Sequence, residues 1–230
     1  MMKAILWDMD GTLLDSEPLW GRATHALARE LGGPLPEEVR ARTIGGSAPR
    51  TVGIIAEHLG LDLDAAARAR AGERLFELFL EAARGGAELR PGVAGLLAEA
   101  RAAGIPQVLV TNTVRRVAGV GIAAIGPGWF AGTVCGDEVP AGKPAPDPYL
   151  AGARIAGAAP GECLAVEDSP GGATAAVAAG CRTLYVPGPG VGPAPAGAGE
   201  LAALTGRRDL AGVDLAALGE LHRRLGGVEQ

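Results

Sequence analysis

Short apolar runs recur along the chain, and most of them stop at or beside a polar group. Ala4-Ile5-Leu6-Trp7 stops at Asp8, and Gln107-Val108-Leu109-Val110 at Thr111-Asn112. Gly132-Thr133-Val134-Cys135 stops at Gly136-Asp137, and Cys163-Leu164-Ala165-Val166 at Glu167-Asp168. Arg182-Thr183-Leu184-Tyr185-Val186 ends at Pro187. Such runs are too short for helices and apolar on both alternating faces, so they read as strands buried on both sides. Helical patterns fill the gaps at 92–103, 114–124, 146–156 and 170–179, with a last one at 214–225. Strands alternating with helices predict an α/β fold, a doubly wound parallel sheet with helices on both faces.

Residues 18–88 break this alternation. They are rich in Ala, Leu, Arg and Glu, and the stretches 18–31, 36–43, 49–59, 64–71 and 73–84 each read as helical, with Asp64 as a cap. A helical block placed directly after the first strand predicts an α-helical cap domain at 17–88, inserted into a core made of 1–16 and 89–230. Gly85-Gly86 and Arg90-Pro91-Gly92 mark the return to the core, and the Pro- and Gly-rich stretch 187–199 reads as a loop.

Composition narrows the function classes. At 48% hydrophobic residues the chain has ample material for a packed core, which argues against disorder. A net charge of −5 gives no electrostatic help toward nucleic acid or an anionic membrane, so neither is expected as a partner. No apolar stretch reaches the ~20 residues of a membrane span, and Asp8 and Asp10 would interrupt any amino-terminal leader. Three widely spaced cysteines, Cys135, Cys163 and Cys181, read as buried thiols in a reducing compartment rather than a disulfide framework. The expectation is a soluble, cytoplasmic protein, a monomer or weak homodimer. Of 21 basic residues only Lys3 and Lys143 are lysines, which singles out Lys143.

The carboxyl edge of a doubly wound sheet is where ligands bind, and Asp8, Thr111, Asn112, Glu167 and Asp168 all follow predicted strands. Lys143 lies in a Gly-Lys-Pro turn between two units. The stretch Asp8-Met9-Asp10-Gly11-Thr12-Leu13-Leu14-Asp15-Ser16-Glu17 resembles the first motif of haloacid dehalogenase-like phosphotransferases. Thr111 resembles the second motif, Lys143 the third and Glu167-Asp168 the fourth, all in the expected order between residues 4 and 186.

The resemblance implies a phosphatase with Asp8 as a transiently phosphorylated nucleophile, Mg²⁺ as cofactor and a small phosphate ester, such as a sugar phosphate, as substrate. It assigns Asp8 and Asp168 as side-chain metal ligands and Asp10 as a ligand through its backbone carbonyl. Glu167 is a further ligand or orients a metal-bound water. An oxygen-preferring cation beside two or three carboxylates suits the chemistry, because an anionic nucleophile must otherwise approach an anionic ester. Asp10, two residues from Asp8 and on the same side of an extended chain, is expected to protonate the leaving oxygen and then activate water. Lys143 supplies a compact positive charge, Thr111 a hydroxyl, and the backbone N–H groups after Asp8 and Thr111, at Met9 and Asn112, complete a phosphate cradle. In the expected cap, Glu17 and Arg50 are the candidate substrate contacts; Trp20, His25 and His58 read as packing or surface residues.

The same scaffold supports other chemistry. A dehalogenase lacks an acid/base residue at the Asp10 position, and a phosphonatase needs a lysine that 18–88 does not contain. A β-phosphoglucomutase-type mutase needs a basic pair in the loop that here reads Thr43-Ile44-Gly45-Gly46-Ser47-Ala48-Pro49-Arg50; only Arg50 is basic, so the phosphatase is favoured. A non-catalytic phosphometabolite-binding protein would be marked by loss of Asp8, Asp10, Lys143 or Asp168, and none is lost. Gly136 to Gly142-Lys143-Pro144 does not match a GxxxxGK[ST] loop, and 188–192 does not match GxGxxG.

Overall fold

The computed structural model describes residues 1–44, 46–188 and 191–227; Gly45 of the 43–50 loop and Pro189 and Gly190 of the 187–199 stretch lie outside them. The chain divides into two compact units, one formed by Met1–Asp15 with Glu88–Gln230 and one by Ser16–Ala87.

The first unit begins with β1 (Ala4–Trp7). The second unit follows directly and is helical: α1 (Glu17–Glu30), α2 (Glu37–Ala41), α3 (Ala48–Leu59) and α4 (Ala65–Ala82). Its interior is built from residues at helical spacing, Ala23 and Leu27 on α1, Val52, Ile55 and Ala56 on α3, and Ala71, Leu75, Leu78 and Phe79 on α4. Trp20 stacks on Phe79, with ring centroids 4.0 Å apart. Asp64 does cap α4, its side chain accepting the Ala67 N–H at 2.7 Å. The two helices expected at 64–71 and 73–84 are a single helix. Gly72 reads as a break in sequence, but one glycine in an alanine-rich helix costs only about 1 kcal/mol, and the buried face on either side of it outweighs that.

The first unit resumes with α5 (Val93–Ala102), β2 (Gln107–Val110), α6 (Arg115–Ile125), β3 (Gly132–Val134) and α7 (Asp147–Ala156). It continues with β4 (Cys163–Glu167), α8 (Pro170–Ala178), β5 (Arg182–Tyr185), β6 (Ala198–Glu200), α9 (Leu201–Thr205) and α10 (Leu215–Leu225). Among the described residues the strands form one parallel sheet in the order β3-β2-β1-β4-β5-β6. The order reverses at β1, which lies between β2 and β4, so the crevice of a doubly wound sheet opens at the carboxyl ends of these strands.

Alternation along the strands divides the core. Ala4, Leu6, Val108, Val110, Cys163 and Ala165 pack on one face with Tyr149 and Ala153 of α7 and Ala175 and Ala176 of α8. α5 and α10 pack on the sheet and on each other. Gln107, a buried polar residue within β2, is accounted for on both sides: it accepts from the Trp7 indole at 3.0 Å and donates to the Leu97 carbonyl at 3.0 Å. Cys135, Cys163 and Cys181 are free and buried; burial pushes their thiols up to about 11, about 11 and about 12. Among the described residues no helix is long and apolar enough to cross a membrane.

The end of the stretch expected to be a loop, 187–199, forms β6, which pairs with β5 through Thr183↔Ala198 and Tyr185↔Glu200. Ala-Gly-Glu carries no strand pattern. Its pairing is a backbone matter, and Gly199 has no side chain because a Cβ there would meet Leu225 at 2.3 Å and Leu204 at 2.9 Å.

Gly72 offers a direct test of the uninterrupted α4. A Cβ there meets nothing within 4 Å. Gly72→Ala is expected to raise the unfolding free energy by about 0.5–1 kcal/mol, read as a higher urea midpoint at unchanged m-value. A destabilised variant would contradict a continuous helix at this position.

Candidate active site

Asp8 continues the ladder one residue past β1: its N–H bonds the Val166 carbonyl at 3.0 Å, which delivers the carboxylate to the sheet edge. The chain then turns tightly. Leu13 and Leu14 N–H groups both bond the Met9 carbonyl, and the Gly11 N–H bonds the Leu14 carbonyl. Gly11 is required twice over. Its φ of +90° suits glycine, and a Cβ would sit 2.1 Å from Asp168 Oδ2. The first-motif turn and the Asp168 carboxylate are therefore in close contact.

Lys143 joins the pieces. Its ammonium donates to Asp8 Oδ1 at 2.6 Å, Glu167 Oε1 at 2.5 Å and the Val110 carbonyl at 2.9 Å, which uses all three protons. Glu167 is fully buried, and its two oxygens are otherwise taken by the Tyr149 hydroxyl at 2.6 Å and by Ser169 N–H and Oγ at 3.4 and 3.1 Å. A Cβ on Gly172 would meet the Glu167 carboxylate at 1.9 Å, so the first turn of α8 closes over it. Asp8 Oδ2 is buried with no hydrogen-bond partner.

The other residues singled out in the sequence fall as follows. Thr111 is buried at the end of β2; its hydroxyl accepts the Thr113 N–H at 3.0 Å and lies 3.5 Å from Asp10 Oδ2. The Asn112 side chain clamps the Lys143 backbone at two points, accepting its N–H at 2.7 Å and donating to its carbonyl at 3.0 Å. The Met9 side chain is buried and lies where a Cβ on Gly121 would touch its sulfur at 2.9 Å, so a phosphate contact from either residue falls to its backbone. Within the helical unit, Glu17 is paired with the buried Arg40, whose guanidinium also donates to Thr43 Oγ1 at 2.7 Å. Arg50 is exposed on the first turn of α3, His58 is exposed on the last turn, and His25 Nε2 lies 3.2 Å from Glu37.

Three further contributors are not among the residues that the sequence singles out. Thr113 donates to Asp10 Oδ2 at 2.8 Å; its position two residues after Thr111 was a usable signal, since alternate residues share a side. Ser169 directly follows the acidic pair. Tyr149 carried no signal, because an aromatic residue on a buried helix face reads as packing.

The electrostatics follow from burial. Asp8 is pushed up to about 7 by desolvation and then by Glu167, with Lys143 opposing. Desolvation, Asp8 and Glu167 hold Asp168 well above the usual carboxylate range. Burial pulls Lys143 down, but Asp8 and Glu167 outweigh it and its ammonium stays charged. Burial, with Glu167 beside it, keeps the Tyr149 phenol protonated. One ammonium thus faces an excess of carboxylates. One oxygen from each of Asp8, Glu167 and Asp168 lies within 4.8 Å of the others. A set of hard oxygen donors containing one buried, unpartnered oxygen fits a divalent cation such as Mg²⁺. Asp8, Glu167 and Asp168 each offer an oxygen to this set, and Glu167 is in addition engaged by Lys143, Tyr149 and Ser169.

A carboxylate–lysine site at the switch point of a 3-2-1-4-5-6 sheet defines a doubly wound α/β enzyme. The haloacid dehalogenase-like hydrolase model matches residues 2–180, and the chain belongs to that family. It is 37% identical to hexitol phosphatase A of Escherichia coli over 81% of this chain and 84% of the relative. It is 33% identical to a probable pseudouridine-5'-phosphatase of Drosophila melanogaster over 80% of this chain and 81% of the relative. The crystal structure of CbbY from Rhodobacter sphaeroides in complex with xylulose-(1,5)bisphosphate superposes with a TM-score of 0.80 at 30% identity, covering 95% of this chain and 99% of that one. Membership in this family with relatives named as phosphatases classes the chain as a phosphoric monoester hydrolase.

The raised Asp8 carboxyl carries a stability signature. A carboxyl whose value rises from 3.8 to about 7 on folding binds a proton more tightly in the folded state. Its contribution is full below pH 3.8 and is lost as pH rises through about 7. His222, which burial lowers to about 4, acts in the opposite direction over part of this window, so the comparison is with Asp8→Asn. In EDTA, wild type is expected to lose thermal stability relative to Asp8→Asn from pH 4 to 7.5, and Mg²⁺ is expected to abolish the loss. Parallel profiles for the two proteins in EDTA would contradict the assigned burial of Asp8.

Proposed function

We propose that this chain is a Mg²⁺-dependent phosphatase that hydrolyses a small phosphorylated metabolite, a sugar phosphate, through an aspartyl-phosphate on Asp8. The observation that carries the reading is the state of Asp8. One of its oxygens is fixed by Lys143 at 2.6 Å and the other is buried without a partner. A carboxylate held in one orientation, with an unsatisfied oxygen in a site of excess negative charge, is prepared for an electrophile and a cation rather than for structural pairing.

In the first step the Asp8 carboxylate attacks phosphorus and the ester oxygen leaves with a proton from Asp10. In the second, Asp10 takes a proton from water, which attacks the phosphoryl group and regenerates Asp8. The Thr113 hydroxyl supports this role by holding Asp10 Oδ2 at 2.8 Å. Lys143 offsets the charge that accumulates on Asp8 and the phosphoryl oxygens, and the Thr111 hydroxyl and backbone N–H groups at Met9 and Asn112 bind those oxygens. Asp8 and Asp168, with the Asp10 backbone carbonyl, would hold Mg²⁺, which supplies neutralising charge to the phosphate. Glu167 serves as the anchor of Lys143. The sugar-phosphate class is supported by hexitol phosphatase A and by the sugar bisphosphate bound to CbbY.

The test is phosphate release across sugar, nucleotide and small-acid phosphates with Mg²⁺ and with EDTA. Turnover is expected only with the metal and fastest on sugar phosphates. Asp8→Asn is expected to lose at least about 10³-fold, and Asp10→Asn about 10²–10⁴-fold. Full activity of Asp8→Asn would refute the mechanism, and interconversion of hexose 1- and 6-phosphates without net phosphate release would replace the phosphatase with a mutase.

A further inference from the structure

Tyr149 lies on the first turn of α7, just past the loop that carries Lys143, and it is fully buried. It reaches no surface that a substrate could touch, yet it meets the site at two points. Its hydroxyl donates to Glu167 Oε1 at 2.6 Å, the same oxygen that accepts from Lys143 Nζ at 2.5 Å. Its ring centroid lies 5.1 Å from that ammonium, within range of a cation–π contact. The other Glu167 oxygen is engaged by Ser169, and the Lys143 protons are divided among Glu167, Asp8 and Val110.

We propose that Tyr149 is a positioning residue whose hydroxyl shares Glu167 with Lys143 and thereby sets how closely the ammonium is held to Asp8. The physical basis is competition for one acceptor. A carboxylate oxygen already accepting from a phenol attracts a second donor less strongly than one free of it. Without the hydroxyl, Glu167 Oε1 has Lys143 as its remaining donor and draws the ammonium toward itself. The contact with Asp8 Oδ1, on the opposite carboxylate, lengthens. The aromatic ring, 5.1 Å from the ammonium, is retained but cannot restore the balance. Glu167 and Tyr149 thus act on the nucleophile through one shared ammonium.

The proposal rests on the phosphatase reading for its kinetic consequences, so the experiment has one arm that needs activity and one that does not. Tyr149→Phe keeps the ring and its packing and removes only the hydroxyl. Its kcat is expected to fall about 10–100-fold, the usual cost of losing an outer-shell partner, with KM within twofold of wild type. In a Lys143→Arg background the same change is expected to cost less than about twofold, because the residue it acts through is already altered.

The second arm is NMR of protein labelled at the lysine Cε and Nζ. The chain has two lysines, Lys3 and Lys143, so the signals are assignable by a Lys3→Arg control. The Lys143 signal is expected to move in Tyr149→Phe while that of Lys3 stays in place. If Tyr149→Phe does not fold, 3-fluorotyrosine in place of the chain's two tyrosines keeps every heavy atom of the hydrogen bond and is expected to shift the same signal. A Lys143 signal that moves in a protein without phosphatase turnover supports the positioning role and rejects the functional reading. An unmoved signal, or a kcat loss that persists in full in Lys143→Arg, overturns the role of Tyr149.

Discussion

The Lys143 ammonium sits between Asp8 and Glu167, at 2.6 and 2.5 Å, in a setting where neither carboxylate has access to much water. Two buried carboxylates this close to one cation are costly to charge together, because the desolvation of buried ions can exceed their mutual attraction. The arrangement is therefore poor at stabilising the fold and well suited to presenting Asp8 in a single orientation. It also explains why Asp8 rises to about 7 even beside an ammonium: desolvation and Glu167 outweigh what Lys143 returns.

The sheet topology makes this convergence possible. β1 and β4 are neighbours across the point where strand order reverses, so Asp8 and the Glu167–Asp168 pair emerge side by side, and Thr111 emerges from β2 on the other side of β1. Lys143 has no strand of its own and is delivered by a loop. Asn112 clamps the Lys143 backbone, and glycines allow the close approach: a Cβ at Gly136 would lie 2.2 Å from the Asn112 carbonyl, and one at Gly142 2.8 Å from its side-chain oxygen. Arg115 at the start of α6 holds the loop's other end, donating to both Glu138 oxygens at 2.8 and 2.6 Å. The ammonium is thus located by backbone anchoring, and its charge is then shared among side chains.

Excess negative charge is the other constraint. Asp168 lies close against Gly11, burial with Asp8 and Glu167 holds its carboxyl well above the usual carboxylate range, and Asp8 keeps an unpartnered oxygen. Protons can balance such a site in the absence of metal, and a divalent cation can replace them. This links ion binding, stability and the ionisation of the nucleophile, because each draws on the same carboxylates.

Local pattern alone determined much of this protein. The apolar runs at 4–7, 107–110 and 163–166 marked the inner strands, because strands buried on both faces are apolar almost continuously. Their polar terminators named Asp8, Thr111 and Glu167-Asp168, and the near-absence of lysine drew attention to Lys143. The sequence could not divide the hydrogen bonds among these residues. Whether Glu167 turns toward an ion or toward Lys143 and Tyr149, and whether the Asn112 side chain faces substrate or clamps a loop, depends on contacts between residues tens to more than a hundred positions apart, which leave no periodic trace. The same holds for β6, whose Ala-Gly-Glu pairs through backbone alone, and for α4, where packing on both sides of Gly72 overrode a local break. Side-chain period and strand ends are local properties and can be read from a sequence; the sharing of one buried ammonium among distant acceptors exists only once the chain has folded.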